Sequence, residues 1–277
     1  MSKALPEPSQ ALATKVAERE RATNARTFSL KYDHRRLIIK QAAPQGRGRL
    51  QAWLVGWLCK RLTGVRLSKD ALLLPGGQRQ LEFEAQRLQS LRKAGEAVPA
   101  VCAVGDGWLA LEDVGQNLQH RLNTLSADQT LDLLQTLATD LADFHQAGHW
   151  HGGSQIRNLT MRNDQLFRID FEEDLSSLPR PLVQAYDLAL FLSSCIQPLD
   201  RIEADVIAAG QTLLEEYFRA HPSSEVLHCL QQGYNMLKWL QRPLRLLGGW
   251  AGRDGERLRL LLEILSGFLV SPQAEPA

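Results

Sequence analysis

The first stretch of the chain alternates between hydrophobic and polar residues with the short period that is typical of strands. In RTFSLKYDHRRLIIKQ, residues 26–41, this alternation predicts two strands, at 27–32 and 36–41, which a turn at 33–35 joins into a hairpin. Residues 8–24 are polar, with scattered Ala, Leu and Val, and predict an exposed helix or a frayed arm. The pattern therefore predicts the start of a small antiparallel sheet.

Two later segments carry large apolar residues at the i, i+3, i+4 spacing of helices. The first spans residues 47–64, where leucines alternate with Trp53 and Trp57 beside Arg and Lys, and it predicts an amphipathic helix with a basic flank. The second begins after a Gly-Gly turn at 76–77 and stops at Gly95. The alternating residues that follow predict another pair of strands, which extends the sheet.

Leucine-rich helical patterns dominate the C-terminal part of the chain. Residues 126–148 place leucines on one face, with Ser126 at the N-cap position, and a similar pattern runs from about residue 184 to the end. Between them, short apolar stretches around a polar turn predict a tight hairpin at 158–170. The fold class predicted is α+β, with a small strand-rich lobe followed by a larger, mainly helical lobe.

The same patterns divide the chain into three regions. We predict an N-terminal helical arm over 1–25, a strand-rich lobe over 26–113 with the amphipathic helix 47–64 as an insertion, and a helical lobe over 114–277. A hydrophobic content of 44% supplies core material for two lobes. Lys and Arg total 32 against 31 Asp and Glu, so the net charge offers no general attraction to nucleic acid.

Cysteine spacing and the N-terminal composition suggest a compartment. The four cysteines lie far apart, with no CxxC pair and no metal-ligand spacing to histidine, which indicates free thiols in a reducing environment. The N-terminal residues lack the apolar core of a secretory signal, and no window reaches the roughly 18 consecutive apolar residues of a spanning helix. We therefore expect a soluble protein in the cytosol.

The most informative motif begins at His151, continues to Asn158 and ends with an Asp-Phe pair at Asp170. Protein kinases build their metal site from a loop histidine, an asparagine seven residues later and a strand that ends in Asp-Phe. The chain therefore resembles protein-kinase-like enzymes. The resemblance implies a bilobal kinase-like fold with a catalytic loop at 151–158 and a metal motif at 170–172. It also implies that Asn158 and Asp170 bind Mg²⁺ ions bridging the phosphates of ATP.

Three further segments extend this resemblance. RLIIK resembles the strand that carries the phosphate-binding lysine, which would be Lys40. LEFEAQRLQSL resembles the helix whose glutamate orients that lysine, and Glu84 takes this role with Glu82 as the competing register. AYDLALFL resembles the helix of aminoglycoside and RIO-type kinases whose aspartate braces the catalytic loop, so Asp187 would be a structural residue.

The segment LALEDVG resembles the connection between kinase lobes, where backbone groups hold the adenine ring. Leu111, Glu112 and Val114 are the candidate nucleotide-binding residues there. The order of the hairpin, the tryptophan-containing helix, the glutamate-bearing helix and a Val-Pro-Ala-Val strand resembles the lipopolysaccharide core kinases, which phosphorylate heptose or Kdo sugars. This resemblance covers roughly residues 20–195.

The lipopolysaccharide-kinase resemblance implies a cytoplasmic bacterial enzyme that transfers phosphate from ATP, with Mg²⁺, to a sugar or lipid-linked hydroxyl. Its acceptor would be a lipid-linked glycan at the surface of the inner membrane. The basic amphipathic residues 47–61 would then provide a peripheral membrane contact, although a tryptophan-containing helix of this kind more often packs within a lobe.

Two features depart from the kinase pattern. These kinases read His-x-Asp at the start of the loop, and this chain has Gly153 in place of the aspartate that accepts the proton of the attacking hydroxyl. Glu172 is our candidate to recover part of the base or metal function, with Glu173 and Asp174 as alternatives.

The second departure is the missing glycine-rich loop before Lys40. Arg21 and Arg26 lie in that region and are candidates to contact phosphate instead. Three hypotheses stay open: an ATP-dependent phosphotransferase, a pseudokinase with a regulatory or scaffolding role in envelope metabolism, which Gly153 favours, and a membrane-surface adaptor that uses the basic helix without nucleotide.

Overall fold

The structure is a computed structural model of the 277-residue chain, and it confirms the predicted α+β fold class. An antiparallel sheet lies in the N-terminal part, and the C-terminal part is mainly helical. The predicted amphipathic helix at 47–64 lies outside the described residues, apart from Lys60. The structure describes residues 5–23, 25–42, 60, 76–246 and 252–270.

The chain forms two compact units, each built from two segments of sequence. Unit 1 contains residues 1–118 and 157–177, and unit 2 contains residues 119–156 and 178–277. The sequence pattern placed the hairpin at 158–170 in the helical lobe, whereas in the structure it belongs to unit 1. The reason is that its first strand pairs with a short strand at the end of the first segment of unit 1.

The described residues of unit 1 form two antiparallel sheets. The larger sheet has the strand order β1-β2-β4-β3, so β2 and β4 are its central strands, and the smaller sheet has the order β5-β6-β7. Helix α2 packs against β3 and β4 of the larger sheet. The elements of unit 1 are α1 (Gln10–Arg21), β1 (Thr27–Tyr32), β2 (Arg35–Gln41), α2 (Gln78–Lys93), β3 (Val101–Gly105), β4 (Trp108–Glu112), β5 (Gln116–Asn117), β6 (Leu159–Arg162) and β7 (Gln165–Arg168).

The first hairpin turns more tightly than its sequence pattern predicts. Asp33 and His34 form a two-residue turn with φ angles of 48° and 58°, while Arg35 already pairs with Tyr32 across the two strands. Two successive residues in the left-handed region match the right-handed twist of the strands that they join. This turn sets the register of β2, which carries Lys40 opposite Thr27.

Helix α1 is an integral part of the core of unit 1 rather than an exposed or frayed arm. Ser9 caps its first turn by accepting a hydrogen bond from the N–H of Leu12 at 3.2 Å. The side chains of Leu12 and Val16 are buried one helical turn apart and pack into the cluster that covers one face of the larger sheet. The other buried members of this cluster are Phe28, Leu37, Ile39, Ala103, Trp108 and Ala110.

Unit 2 is a helical assembly in which α4 packs on α6, and α5 packs on α7 and α8. The predicted N-cap of α4 is confirmed, because Ser126 and Gln129 exchange the two hydrogen bonds of a capping box. The helices are α3 (Leu118–Leu122), which begins at the last residue before unit 2, α4 (Ala127–Gln146), α5 (Arg180–Arg201), α6 (Val206–Ala220), α7 (Ser224–Leu246) and α8 (Arg253–Val270).

Helix α5 is long and apolar enough to cross a membrane by length and composition. Within unit 2 it serves as a central core helix, and 56% of its most apolar window is buried there. Burial also covers two polar side chains of this helix, Gln184 and Asp187. Packing inside the unit therefore accounts for the hydropathy of α5.

Candidate active site

Lys40 occupies a central strand of the larger sheet, where a charged side chain needs a compensating partner. It lies on β2 between its cross-strand neighbours Thr27 and Leu109, and it is 7% exposed. Removing an ammonium from water is costly unless carboxylates and hydrogen bonds replace the lost hydration. The sequence of this strand alone does not show which groups supply them.

Glu84 is the first of these partners. Its carboxylate is fully buried and accepts hydrogen bonds from Nζ of Lys40 at both oxygens, at 2.8 and 2.9 Å. Helical spacing places Glu84 in the same buried stripe as Leu81 and Leu88 of α2. Glu82, the competing register, instead accepts a hydrogen bond from Gln78 at 3.1 Å.

Asp170 supplies the second carboxylate. Its Oδ1 atom lies 2.7 Å from Nζ of Lys40, and its side chain is 42% exposed, compared with 9% for Lys40. Asp170 has a φ angle of 72°, in the left-handed region that non-glycine residues rarely adopt. Such a conformation is held by its surroundings and is found most often at functional sites.

Asn158 and Asp170 stand at the same end of the β6–β7 hairpin. The register pairs Leu159 with Arg168, and beyond it the N–H of Ile169 donates to the carbonyl of Asn158 at 2.9 Å. The sequence prediction that this hairpin brings the two residues to one edge therefore agrees with the backbone of unit 1. Their roles as metal ligands stay predictions.

Glu172 completes the group of carboxylates around Lys40. Its Oε1 atom lies 2.8 Å from Nζ of Lys40 and 2.7 Å from Nη2 of Arg26, and its Oε2 atom accepts a hydrogen bond from Gln80 at 2.9 Å. Both carboxylate oxygens are thus engaged with cations or an amide. The proposed base or metal function of Glu172 would require these contacts to change.

Among the described residues, the five side chains named here are three carboxylates and two cations, which together carry one excess negative charge. Burial alone would lower the pKa of the Lys40 ammonium, but Glu84, Asp170 and Glu172 raise that pKa well above its ordinary value. Burial raises the pKa of the Glu84 carboxyl, and Lys40 opposes this effect. Lys40 therefore remains charged throughout the neutral pH range, and the charge on Glu84 depends on it.

The side-chain oxygens of Asn158 and Asp170, at the end of the β6–β7 hairpin, suit a Mg²⁺ ion that is also bound by phosphate oxygens. Mg²⁺ usually takes one or two protein carboxylates and fills its octahedron with phosphate oxygens and water. Asp170 offers a partly exposed carboxylate, and Asn158 would add an amide oxygen. Across the described ranges, no group of three or more His, Cys, Asp or Glu side chains could hold a metal by itself.

The predicted adenine-binding segment, residues 109–115, overlaps the end of the central strand β4. Leu111 and Glu112 belong to β4 itself, and the Glu112 carboxylate is held by Arg162 at 2.9 Å and by the N–H of Ala100 at 3.2 Å. The carbonyl of Val114 accepts a hydrogen bond from Thr160, whereas its N–H has no partner within the described residues. Val114 therefore offers a backbone donor, and nucleotide binding by these residues stays a prediction.

Asp187 braces the loop that starts at His151, and this contact lies entirely within unit 2. Its buried carboxylate accepts hydrogen bonds from the N–H groups of His151 at 2.6 Å, Gly152 at 2.9 Å and Ser154 at 3.3 Å. Burial alone would raise the pKa of Asp187, but the neighbouring His145 and His151, including the His151 backbone amide, lower that pKa below its ordinary value. The loop conformation therefore depends on a charged Asp187.

Replacing Asp187 with Asn should destabilise the protein by about 3 kcal/mol, because the buried amide keeps one acceptor oxygen for three donors. Urea unfolding at pH 7 measures this difference. The difference should shrink below about pH 4, where the unfolded aspartate takes up a proton before the folded one. The exposed Asp132→Asn in α4 is the matched control, and equal stability of the two variants would contradict the brace.

Sequence reasoning missed how Arg26 and Gln80 converge on Glu172. Gln80 lies one helical turn before Glu84 on α2, so its position on the same face was readable from the spacing. Arg26 was a candidate phosphate contact, but its ion pair with Glu172 joins residues 146 positions apart. Contacts over such a separation depend on the folded structure of unit 1.

Known proteins and families that match this chain include the following three. The phosphotransferase enzyme family, APH, matches residues 16–187, which is more than half of the chain. An uncharacterized protein of Haemophilus influenzae is 24% identical over 185 residues, covering 66% of this chain and 70% of that protein. A crystal structure of the aminoglycoside phosphotransferase APH(2'')-Ib with bound ADP covers 93% of this chain and 99% of its own, with 11% identity and a TM-score of 0.37.

Proposed function

Because this chain belongs to the phosphotransferase enzyme family, we propose that it is an ATP- and Mg²⁺-dependent phosphotransferase whose nucleotide site is centred on Lys40. The observation that carries this proposal is the contact of one buried ammonium with Glu84 on α2 and with Asp170 after β7. A lysine held in this way presents a fixed positive charge to phosphate oxygens.

Each residue has a defined role in this proposal. Lys40 binds the α- and β-phosphates, and Glu84 keeps the ammonium in place through both of its oxygens. Asp170 and Asn158 would hold Mg²⁺, which would neutralise charge on the phosphates during transfer. The N–H of Val114 and the neighbouring backbone bind the adenine ring. Positioning and charge compensation supply most of the catalysis, because the transferred phosphoryl group passes through a loose transition state.

The acceptor that we propose is a sugar or lipid-linked hydroxyl at the inner membrane surface of a bacterium. Support comes from the resemblance of residues 20–195 to lipopolysaccharide core kinases and from the basic, tryptophan-containing pattern at 47–61. The same two observations support our proposal that the protein is cytoplasmic with a peripheral membrane location. Sedimentation with liposomes, before and after replacement of Trp53 and Trp57 by Ala, tests this part of the proposal.

Substitution of Asp170 by Asn tests the metal and nucleotide assignment. ATP with Mg²⁺ should stabilise the wild-type chain against unfolding, by about 2.7 kcal/mol at a hundredfold excess over Kd. Asp170→Asn should weaken ATP binding in the presence of Mg²⁺ by tenfold or more, because the amide replaces a charged metal ligand. Asp106→Asn, at an exposed residue in the turn between β3 and β4 of the same unit, is the control. Mg²⁺-dependent ATP binding that is equal in both variants would remove Asp170 from the site.

The alternative is a pseudokinase that binds nucleotide without transferring phosphate. Gly153 favours it, because the usual proton acceptor is absent from that position of the sequence. General-base assistance is worth about 10² to 10⁴ in rate, so its loss slows transfer without removing the contribution of the other groups. Release of ADP over many turnovers, measured with Mg²⁺ and ATP, separates a slow enzyme from a binding protein.

A further inference from the structure

One oxygen of Glu172 bridges the two cations of the Lys40 cluster. Its Oε1 atom lies 2.8 Å from Nζ of Lys40 and 2.7 Å from Nη2 of Arg26, while Gln80 holds the other oxygen at 2.9 Å. The Glu172 side chain is 15% exposed, so this bridge is largely shielded from water. Shielding strengthens the interaction between a carboxylate and the cations around it.

The fold brings the Arg26 guanidinium beside Lys40 through the next residue along β2. The N–H of Gln41 donates to the carbonyl of Arg26 at 2.8 Å, and Nε of Arg26 donates to the carbonyl of Gln41 at 3.2 Å. Two hydrogen bonds to one residue fix both the backbone and the side chain of Arg26. Arg26, the second cation, is therefore held beside Lys40 by its two hydrogen bonds to Gln41 of β2.

An oxygen that bridges an ammonium and a guanidinium has the surroundings that a phosphate oxygen requires. The sequence before Lys40 carries no glycine-rich run whose backbone amides would hold the phosphates of a nucleotide. We propose that Lys40 and Arg26 form a two-cation phosphate subsite and that the Glu172 carboxylate is an internal competitor for it. This inference rests on the proposed function, because the phosphate is taken to be that of ATP.

The charges around Lys40 explain why the Glu172 carboxylate should weaken the binding of ATP. With Glu172 in place, the three carboxylates among the described residues of the cluster outweigh Lys40 and Arg26 by one charge, and this excess opposes an incoming triphosphate. Removal of the Glu172 charge balances the charges of the remaining four described side chains, leaves Arg26 without its carboxylate partner and removes one of the three carboxylates that contact Lys40. The gain in affinity should be largest for ATP without Mg²⁺, since the metal-free nucleotide carries more negative charge.

The test is calorimetric titration of the full chain with ATP, with and without Mg²⁺. Glu172→Gln should bind ATP about tenfold more tightly than the wild type, and Arg26→Gln should bind it about tenfold less tightly. Glu82→Gln and Arg19→Gln are the matched controls, because they remove the same charges at residues outside the bridge, and their affinities should stay within about twofold of wild type. When the chain already carries Arg26→Gln, adding Glu172→Gln should increase the affinity for ATP much less than it does in the wild type.

The outcomes separate this inference from the proposed function. If the wild type binds ATP and Glu172→Gln binds it no more tightly, the Glu172 carboxylate does not compete with phosphate, while the phosphotransferase proposal stands. An Arg26→Gln affinity that matches that of Arg19→Gln would likewise refute the role of Arg26 as the second cation. Failure of every variant and of the wild type to bind ATP would overturn both. Thermal unfolding of each variant without nucleotide shows whether Arg26→Gln, at a half-exposed residue, remains folded.

Discussion

Replacing Lys40 with Met is expected to abolish detectable ATP binding and to lower the free energy of unfolding by about 3 to 5 kcal/mol. The loss of affinity should reach about a hundredfold or more, since the methionine keeps the length of the side chain but not its charge. The loss of stability follows because the fully buried Glu84 carboxylate would lose the ammonium that compensates it. Calorimetric titration with ATP and urea unfolding measure the two effects separately.

A double variant separates the effect of Lys40 on ATP binding from its effect on stability. In Lys40→Met combined with Glu84→Gln, no uncompensated charge remains at the most buried position, so much of the stability should return while ATP binding stays absent. Lys31→Met, at an exposed position of β1, is the control for removing a lysine from this sheet. Restored ATP binding in the double variant would show that Lys40 acts only by satisfying Glu84.

The order of elements in unit 1 was predictable because local patterns specify it. Alternation of hydrophobic residues predicted β1 and β2, and the spacing of α2 placed Glu84 on the buried face with Leu81 and Leu88. Lys40 and Glu84 lie 44 residues apart, and only the motif order suggested that they meet. The predicted turn of the first hairpin was one residue too long because Arg35 has no local feature that excludes it from the turn.

The charge balance of the site was not predictable from the sequence. Glu172 was interpreted as a substitute base because it follows Asp170, and nothing in that pattern indicated Arg26 and Gln80 as its partners. Helix α1 was expected to be exposed because its composition is polar, but two buried residues, Leu12 and Val16, are enough to attach it to the sheet. Both differences arise from tertiary contacts that a local pattern does not encode.

The sequence also predicts only part of the structure around the loop in unit 2 that starts at His151. Asp187 was predicted as a brace from its resemblance to other kinases, and its three amide contacts agree with that role. The sequence did not predict that His145 and Tyr217 lie near Asp187. The Nε2 atom of His145 lies 3.5 Å from the Asp187 carboxylate, and the Nδ1 atom of His145 lies 2.7 Å from the hydroxyl oxygen of Tyr217. Tyr217 belongs to α6, far from this loop in sequence, so only the packing of unit 2 reveals the connection.

Restoring an aspartate at position 153 should increase the rate of phosphate transfer from ATP by about 10² to 10⁴. The backbone permits this change, since the φ angle of Gly153 is not positive, whereas that of Gly152 is 88°. The N–H of Gly153 donates to Nδ1 of His151 at 3.1 Å, and an aspartate retains this donor. Release of phosphate from ATP with Mg²⁺ measures the rate without knowledge of the acceptor, because water can take its place.

The control for this variant is Gly153→Asn, which adds the same volume and polarity without a carboxylate that accepts a proton. If the chain is a phosphotransferase with a weakened loop, the aspartate variant should exceed both the asparagine variant and the wild type, while its affinity for ATP changes little. If the chain is a pseudokinase that has lost only this group, the same variant should gain turnover from a baseline near zero. Equal rates for the two variants would mean that position 153 does not hold the proton acceptor, and the kinase alignment of this loop would be wrong.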